Sequence, residues 1–270
     1  GDGIARVDGR VVFIPETAAG ETVTARVTQV KSHYARACAL AITAPSPDRI
    51  TPCCRVADPD TGNLSRVPGC VYDHLGYPAE VEAKQRQLDG FFRRLKNGAE
   101  EAVMLPPLPS PSPLHYRNKI VLHLQRDQGA ARLGYRQEPS HRVLDLAACP
   151  LACDAINREL ASLRASGALS GLPDQARLTF RHTPRDGTVW WLGSEAPRSP
   201  CADLLTEASP AGDLKVPRDG FYQVNPQVSD ALVRTAAAWF AQEPDASELV
   251  DLYCGVGVFG FACMRAGGTG

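Results

Sequence analysis

Leu249-Val-Asp-Leu-Tyr-Cys-Gly-Val-Gly-Val-Phe-Gly-Phe261 decides how the rest of this chain is read. The apolar run into Asp251-Leu-Tyr-Cys254 has the composition of a strand buried in a parallel sheet. Gly255, Gly257 and Gly260 follow in G-x-G-x-x-G spacing, and residues 259–265 read as the opening of a helix. A strand, a glycine turn and a helix N-terminus bring backbone N–H groups close to a ligand and leave it room. By itself the spacing fits two readings: a site for a nucleotide-type cofactor, or a tight strand-to-helix junction that holds nothing.

Composition sets the bounds. A chain of 270 residues has length for two or three small domains and a sizeable core. Its hydrophobic share of 44% and charged share of 22% are those of a globular protein. No apolar run approaches the roughly 20 residues that span a bilayer, and no signal peptide is visible, so the reading is a cytoplasmic protein with no membrane partner. Gly1-Asp2-Gly3 lacks an initiator Met, which is read as an incomplete N-terminus. The nine cysteines are not spaced like a secreted disulfide scaffold and fit reduced thiols or metal ligands. A net charge of −1 argues against a DNA-coating protein, yet residues 115–142 carry an excess of four positive charges before three histidines are counted. That stretch can face phosphates or can be a solvated basic face.

Outward from the glycine turn, Asn225-Pro226 makes an N-cap and first-turn pair. The helix it begins is expected to end near Gln242, with Val228, Ala231, Leu232, Ala238 and Trp239 on its apolar face, before an acidic link at 243–248. Strands are expected at 11–14 after the Asp8-Gly9 turn signal, around Val23, Ala25 and Val27, and at 34–42, which together suggest a small Greek-key barrel. Residues 44–47 read as a linker, and 51–70 as a loop rich in Pro, Asp and Gly. A helix is expected from Pro78 to about Lys96, with Val81, Leu88, Phe91, Phe92 and Leu95 as its apolar side. After a proline-rich break at 106–113, strands are expected at 120–124, 143–146, 178–180 and 189–192, and a helix at 154–165. Trp190 and Trp191 are read as packing residues.

Wording adds more than spacing does. Asp251-Leu-Tyr-Cys-Gly-Val-Gly257, together with Phe221-Tyr-Gln-Val-Asn225, resembles the S-adenosylmethionine site of the RNA uracil-5-methyltransferase family. Gly69-Cys-Val-Tyr-Asp-His-Leu-Gly-Tyr77 with Lys84-Gln-Arg-Gln-Leu88 resembles its cysteine-containing connector. Tyr116-Arg-Asn-Lys119, Leu133-Gly-Tyr135, Ser140-His141 and Cys149-Pro-Leu151 resemble its central domain, and residues 1–51 its N-terminal RNA-binding TRAM barrel. The resemblance implies a multidomain α/β chain: an OB-like barrel at 1–50, a connector and helix at 51–100, an α+β RNA-binding domain at 101–215, and the first part of a Rossmann-like methyltransferase domain at 216–270.

It also implies roles. Phe221, Gln223, Tyr253, Gly255, Gly257 and Val258 stand at cofactor positions, although the family often has a polar residue where Val258 stands. Arg117, Lys119, Tyr135 and His141 become the RNA candidates, since cations engage phosphates and rings stack on splayed bases. Cys53, Cys54, Cys70 and Cys149 are the candidate ligands of a four-iron [4Fe-4S] cluster, with Val67 where the family has a further Cys; a decayed site with free thiols is the other reading. The partner implied is tRNA or ribosomal RNA, and no protein partner is implied. In the family a cysteine thiolate adds to carbon 6 of uracil so that carbon 5 can take the methyl group, and both this nucleophile and the base lie downstream of the glycine loop. Cys254 does not match it. The expectation is therefore a C-terminally truncated enzyme without its catalytic residues. The alternative is a non-catalytic RNA-binding module that keeps the barrel and central domain.

Overall fold

The computed structural model describes residues 2–58, 62–95, 103–127, 130–137, 140–193, 203–243 and 248–267. The expected helix end at Lys96 and most of the acidic link lie outside these residues. The chain forms two compact units, residues 1–108 and 109–270.

The first unit begins with β1 (Asp2–Val7), β2 (Arg10–Pro15), β3 (Thr22–Val30) and β4 (Tyr34–Ala44), an OB-like sheet in the order β1-β2-β4-β3. Asp8 and Gly9 both take positive φ, 49° and 76°, as a two-residue hairpin turn with the right twist requires. Alternation places Val12, Ile14, Ala35 and Ala37 in a small core, and three register shifts bend β3 against β4. Glu21 ties the following linker to this sheet. Its carboxylate accepts from the N–H groups of Ala18 (2.8 Å) and Ser46 (3.2 Å) and from the Arg49 guanidinium. Arg49, foremost among these, holds the Glu21 pKa down to about 2.

Residues 51–70, expected as loop, contain a short hairpin of β5 (Arg55–Ala57) and β6 (Leu64–Arg66). Three-residue strands leave no readable alternation. The helix α1 (Tyr77–Phe92) begins beside Pro78 as expected, but none of its residues is buried. Leu88, Phe91 and Leu95 are exposed. The helix instead turns Ala79 and Ala83 toward a cleft of about 450 Å³ that is also lined by Ile14, Thr17 and His74. Small side chains, not the Leu/Phe side, face the sheet.

The second unit is built on an antiparallel sheet in the order β11-β10-β7-β8-β9. Its strands are β7 (Lys119–Asp127), β8 (Ala130–Arg136), β9 (Val143–Asp145), β10 (Arg177–Thr183) and β11 (Gly187–Leu192). One face is apolar: Ile120, Leu122, Leu124, Leu133, Leu144, Leu178 and Phe180 are almost fully buried. The helix α2 (Asp154–Ala165) adds buried Ile156, Leu160 and Leu163. The opposite face carries Lys119, His123, Arg177 and Arg181 at the alternate positions. A ribbon of β12 (Leu204–Glu207) and β13 (Leu214–Pro217) adds Leu205 to Val189 and Trp191 in a second cluster. Trp190 and Trp191 are both buried, and the Trp191 indole donates to Asp219 at 2.9 Å.

The unit ends with α3 (Pro226–Phe240) and α4 (Val258–Ala266), the beginning of a Rossmann-like domain. Asn225 caps α3 by accepting from the Val228 N–H at 3.2 Å. The buried line on α3 is Ser229 and Val233 with Ala237 packed beside them, not the expected Leu232 and Trp239, which are exposed. The i, i+4, i+8 row of small residues gives α4 the closest approach. The strand expected over 249–254 is not formed either. Val250 is 75% exposed and Tyr253 fully so. A strand exists through the hydrogen bonds of its neighbours, and none among the described residues pairs with this segment.

Candidate functional site

The turn between Asp251 and Val258 is unusual backbone. Tyr253, Gly255 and Gly257 all have positive φ, at 60°, 57° and 75°. Left-handed backbone suits glycine and costs Tyr253 conformational energy. The Gly257 N–H donates to the Cys254 carbonyl at 2.8 Å and closes the turn. One Asp251 carboxylate oxygen then accepts from the Gly260 N–H at 3.0 Å. A β-carbon at Gly260 would stand 3.2 Å from that oxygen, so the third glycine permits the approach. The N–H groups of Val258 and Phe259, first in α4, have no acceptor among the described residues. They leave an open helix N-terminus, where partial positive charge favours an anionic group. Val258 offers a ligand its backbone N–H but not its side chain. Its side chain packs against Ala211, Val233 and Ala262, because the helix phase at that position points inward.

Phe221 to Asn225 alternates outward and inward. Phe221 (75% exposed) and Gln223 face solvent, while Tyr222 is buried. The Val224 carbonyl accepts from the Asn118 N–H at 3.0 Å, and the Asn225 amide donates to the Ser110 hydroxyl at 2.9 Å. No hydrogen bond joins Phe221 or Gln223 to the glycine turn among the described residues.

What holds this segment was not visible in the sequence. Arg181 is 1% exposed and donates to the carbonyls of Pro217 (3.3 Å), Arg218 (3.0 Å) and Gly220 (3.4 Å) and to Glu207 (2.8 Å). Burial pushes the Glu207 carboxyl up, and Arg181 opposes that shift. An arginine inside Leu178-Thr-Phe-Arg181 is a signal of a buried ion pair, but its partner on β12 lies 26 residues on.

The RNA candidates divide. Arg117 and Tyr135 stand near one another beside Cys149 on the core side of the sheet. The Tyr135 hydroxyl lies 3.6 Å from the Cys149 sulfur, and Tyr135 pairs in register with buried Leu144. The Tyr135 ring is therefore partly buried, with its hydroxyl beside the Cys149 sulfur. Arg117 has a half-buried side chain, and its backbone bonds Leu151 and Cys153 at 2.8 and 2.9 Å. Lys119 faces the other side of β7, where burial and then Arg181 hold its ammonium below the usual value. His141 is exposed in the β8–β9 turn at φ 57°. Of the basic stretch, Arg126 bonds the carbonyls of Leu169, Ser170 and Leu172, and Arg132 pairs with Asp127 at 3.2 Å, so both serve the fold.

Known proteins resemble this chain in sequence and in fold. The TRAM domain profile matches residues 1–40. An uncharacterized RNA methyltransferase of Thermosynechococcus vestitus is 30% identical across 95% of this chain, and the 23S rRNA (uracil(1939)-C(5))-methyltransferase of Bordetella parapertussis is 29% identical across 95%. The chain belongs to the RNA uracil-5-methyltransferase family. It spans 66% and 61% of the length of those two curated relatives. The fold is that of the Pyrococcus abyssi tRNA (uracil-54, C5)-methyltransferase solved with S-adenosyl-L-homocysteine, at a TM-score of 0.67 and 18% identity over 99% of this chain and 71% of that one.

The cluster that membership in this uracil-5-methyltransferase family suggests does not fit the residues described. Among them, no three His, Cys, Asp or Glu side chains group as a metal site would require. Val67, 1% exposed, fills the connector core where the pattern asks for a thiolate. The four-cysteine set is thus an expectation from the resemblance that the described residues do not assemble.

Proposed function

We propose that this protein acts as an S-adenosylmethionine-dependent RNA methyltransferase whose acceptor is carbon 5 of a uridine in tRNA or ribosomal RNA. The observation that carries the reading is the Asp251–Val258 turn, with three left-handed residues and two open N–H groups at the start of α4. These residues suit the donor. The open N–H groups match an amino-acid carboxylate, exposed Tyr253 and Phe221 offer apolar surface to a purine, and Gln223 offers an amide. Gly255 and Gly257 keep the floor of the site free of side chains. When bound, S-adenosylmethionine supplies an electrophilic methyl group, and the protein's task is to fix its direction relative to the base.

Carbon 5 of uracil becomes nucleophilic once a thiolate has added to carbon 6, so the reaction needs an activated cysteine. Neither thiol beside the glycine turn qualifies. Cys263 is buried in apolar surroundings that push its thiol up, and Cys254 lies in the cofactor turn against the Gly255 carbonyl.

The test is methyl transfer from labelled donor to uridine-containing RNA by the product of the complete gene, with nucleoside analysis. 5-Methyluridine should appear, and Gly257→Val should abolish both donor binding and product. An RNA carrying no label, or label on another base, would sink the reading. The 270-residue chain alone should transfer nothing.

A further inference from the structure

Three cationic or imidazole side chains meet on the half of the central sheet that the β12–β13 ribbon does not cover. Arg177 on β10 lies directly opposite His123 on β7, so both side chains leave the same face. His123 in turn lies opposite Gly134 on β8, and Arg136, two residues on, shares that face. The Arg136 guanidinium reaches Gln175 at 2.9 Å, two residues before Arg177. Arg136 and Arg177 are the charged groups that act on His123, and no carboxylate is among them. The imidazole Nδ1 of His123 and the Nε of Arg136 are buried without a hydrogen-bond partner. Arg177 is exposed and has no ion pair among the described residues.

Like charges gathered without a counter-ion raise one another's free energy, and a buried polar atom left unmatched adds to that cost. Three other basic residues of this sheet are answered: Arg181 by Glu207, Arg132 by Asp127, Arg126 by three carbonyls. We propose that Arg136, Arg177 and His123 form a phosphate cradle on which the backbone of single-stranded RNA crosses the central sheet. The proposal rests on RNA being the substrate. A phosphodiester supplies the missing anion and accepts from planar guanidinium groups in the geometry they favour. Gly134 itself is buried: a side chain there would overlap the Leu144 carbonyl, so the glycine lets β9 pack close and is not part of the cradle's floor. Along β7 the row continues to Lys119, about 13 Å away by strand geometry. Lys119 adjoins Asn118, whose N–H holds the Val224 carbonyl of the segment that presents Gln223. Lys119 stands opposite Arg181 at the end covered by the ribbon, so the open part of the row is the His123 end.

The test is fluorescence anisotropy of labelled single-stranded RNA on the 270-residue chain at several salt concentrations. Neutralising two phosphate contacts in Arg136→Gln/Arg177→Gln should weaken binding about 25-fold at 0.1 M salt and make the salt slope shallower by about 1.4. The loss should be equal for oligouridylate and oligoadenylate, since a phosphate contact carries no base information. Arg158→Gln/Arg185→Gln, which removes the same charge from exposed positions elsewhere, should leave both quantities within twofold, and thermal melting checks that each variant is folded. A folded cradle variant that binds like the parent, or a loss confined to one base sequence, overturns the cradle. A parent chain that binds no RNA overturns the functional reading, and the cradle with it.

Discussion

Arg181 and Arg177 stand four residues apart on β10, on the same face of the same sheet, and meet opposite conditions. Arg181 is buried, with a carboxylate and three carbonyls for its guanidinium. Arg177 is exposed and faces an imidazole and another arginine. The β12–β13 ribbon makes the difference, because it lies over one end of the sheet and brings Glu207 with it. Residue type and strand position are shared, so neither decides what an arginine does. The surrounding charge does. Where the fold provides the anion, the arginine is structural; where it does not, the guanidinium stays available to solvent or to a ligand.

The largest expected effect breaks the covered end. Arg181→Met should destabilise the protein by about 3–5 kcal/mol in denaturant titration, since it leaves Glu207 buried and unpaired. Adding Glu207→Leu should recover only part of this, because the carbonyls of Pro217, Arg218 and Gly220 remain without their donor. A single variant within 1 kcal/mol of the parent would show that the ion pair does not hold the ribbon.

A second buried carboxylate sharpens the contrast through pH. Glu21 and Glu207 each pair with an arginine, yet their carboxyls shift in opposite directions. Glu21 also accepts two backbone N–H groups, which stabilise its anion; Glu207 has no such help, and burial prevails. With a folded pKa of about 2 against an ordinary 4.5, ionised Glu21 contributes on the order of 3 kcal/mol above pH 4.5. That contribution is lost as pH falls from 4.5 through 2. Glu207 has the opposite sign: ionising a carboxyl whose folded pKa is raised costs stability as pH rises. Glu21→Gln should therefore be less stable than the parent at pH 7, with the gap closing between pH 4.5 and 2 in thermal melts. A gap independent of pH would assign the effect to shape rather than charge.

The same contrast explains what could be read in advance. Features with local causes were legible: the Asp8-Gly9 hairpin, the Asn225 cap, the alternating Ile120, Leu122 and Leu124, and the left-handed glycines at 255 and 257. Features that depend on a distant neighbour were not. The apolar run at 249–254 has a strand's composition but no partner strand among the described residues. Val258 follows a ligand-type glycine, but its direction depends on how α4 packs on α3. The four-residue strands β12 and β13 are too short for periodicity and stand over a charge pair 26 residues apart. The cradle was missed for a related reason. Arg136 was counted within a basic stretch and Arg177 was not, although only their cross-sheet meeting at His123 gives either one meaning.

The smallest effect on stability should come from the open end of the sheet. Arg177→Gln removes an exposed charge that makes no intrachain ion pair among the described residues, so its unfolding free energy should stay within about 0.5 kcal/mol of the parent. It should nevertheless be felt at His123, whose imidazole is held below its ordinary pKa by burial first, then by Arg136 and Arg177. With Arg177 gone, one repulsion on the protonated ring is lifted and the His123 pKa should rise in an NMR titration. Arg136→Gln should raise it further, as the larger of the two charge effects. A His123 titration unmoved by either change would mean that the three groups do not share a local field. The two arginines of β10 would then differ in exposure only, not in the charge around them.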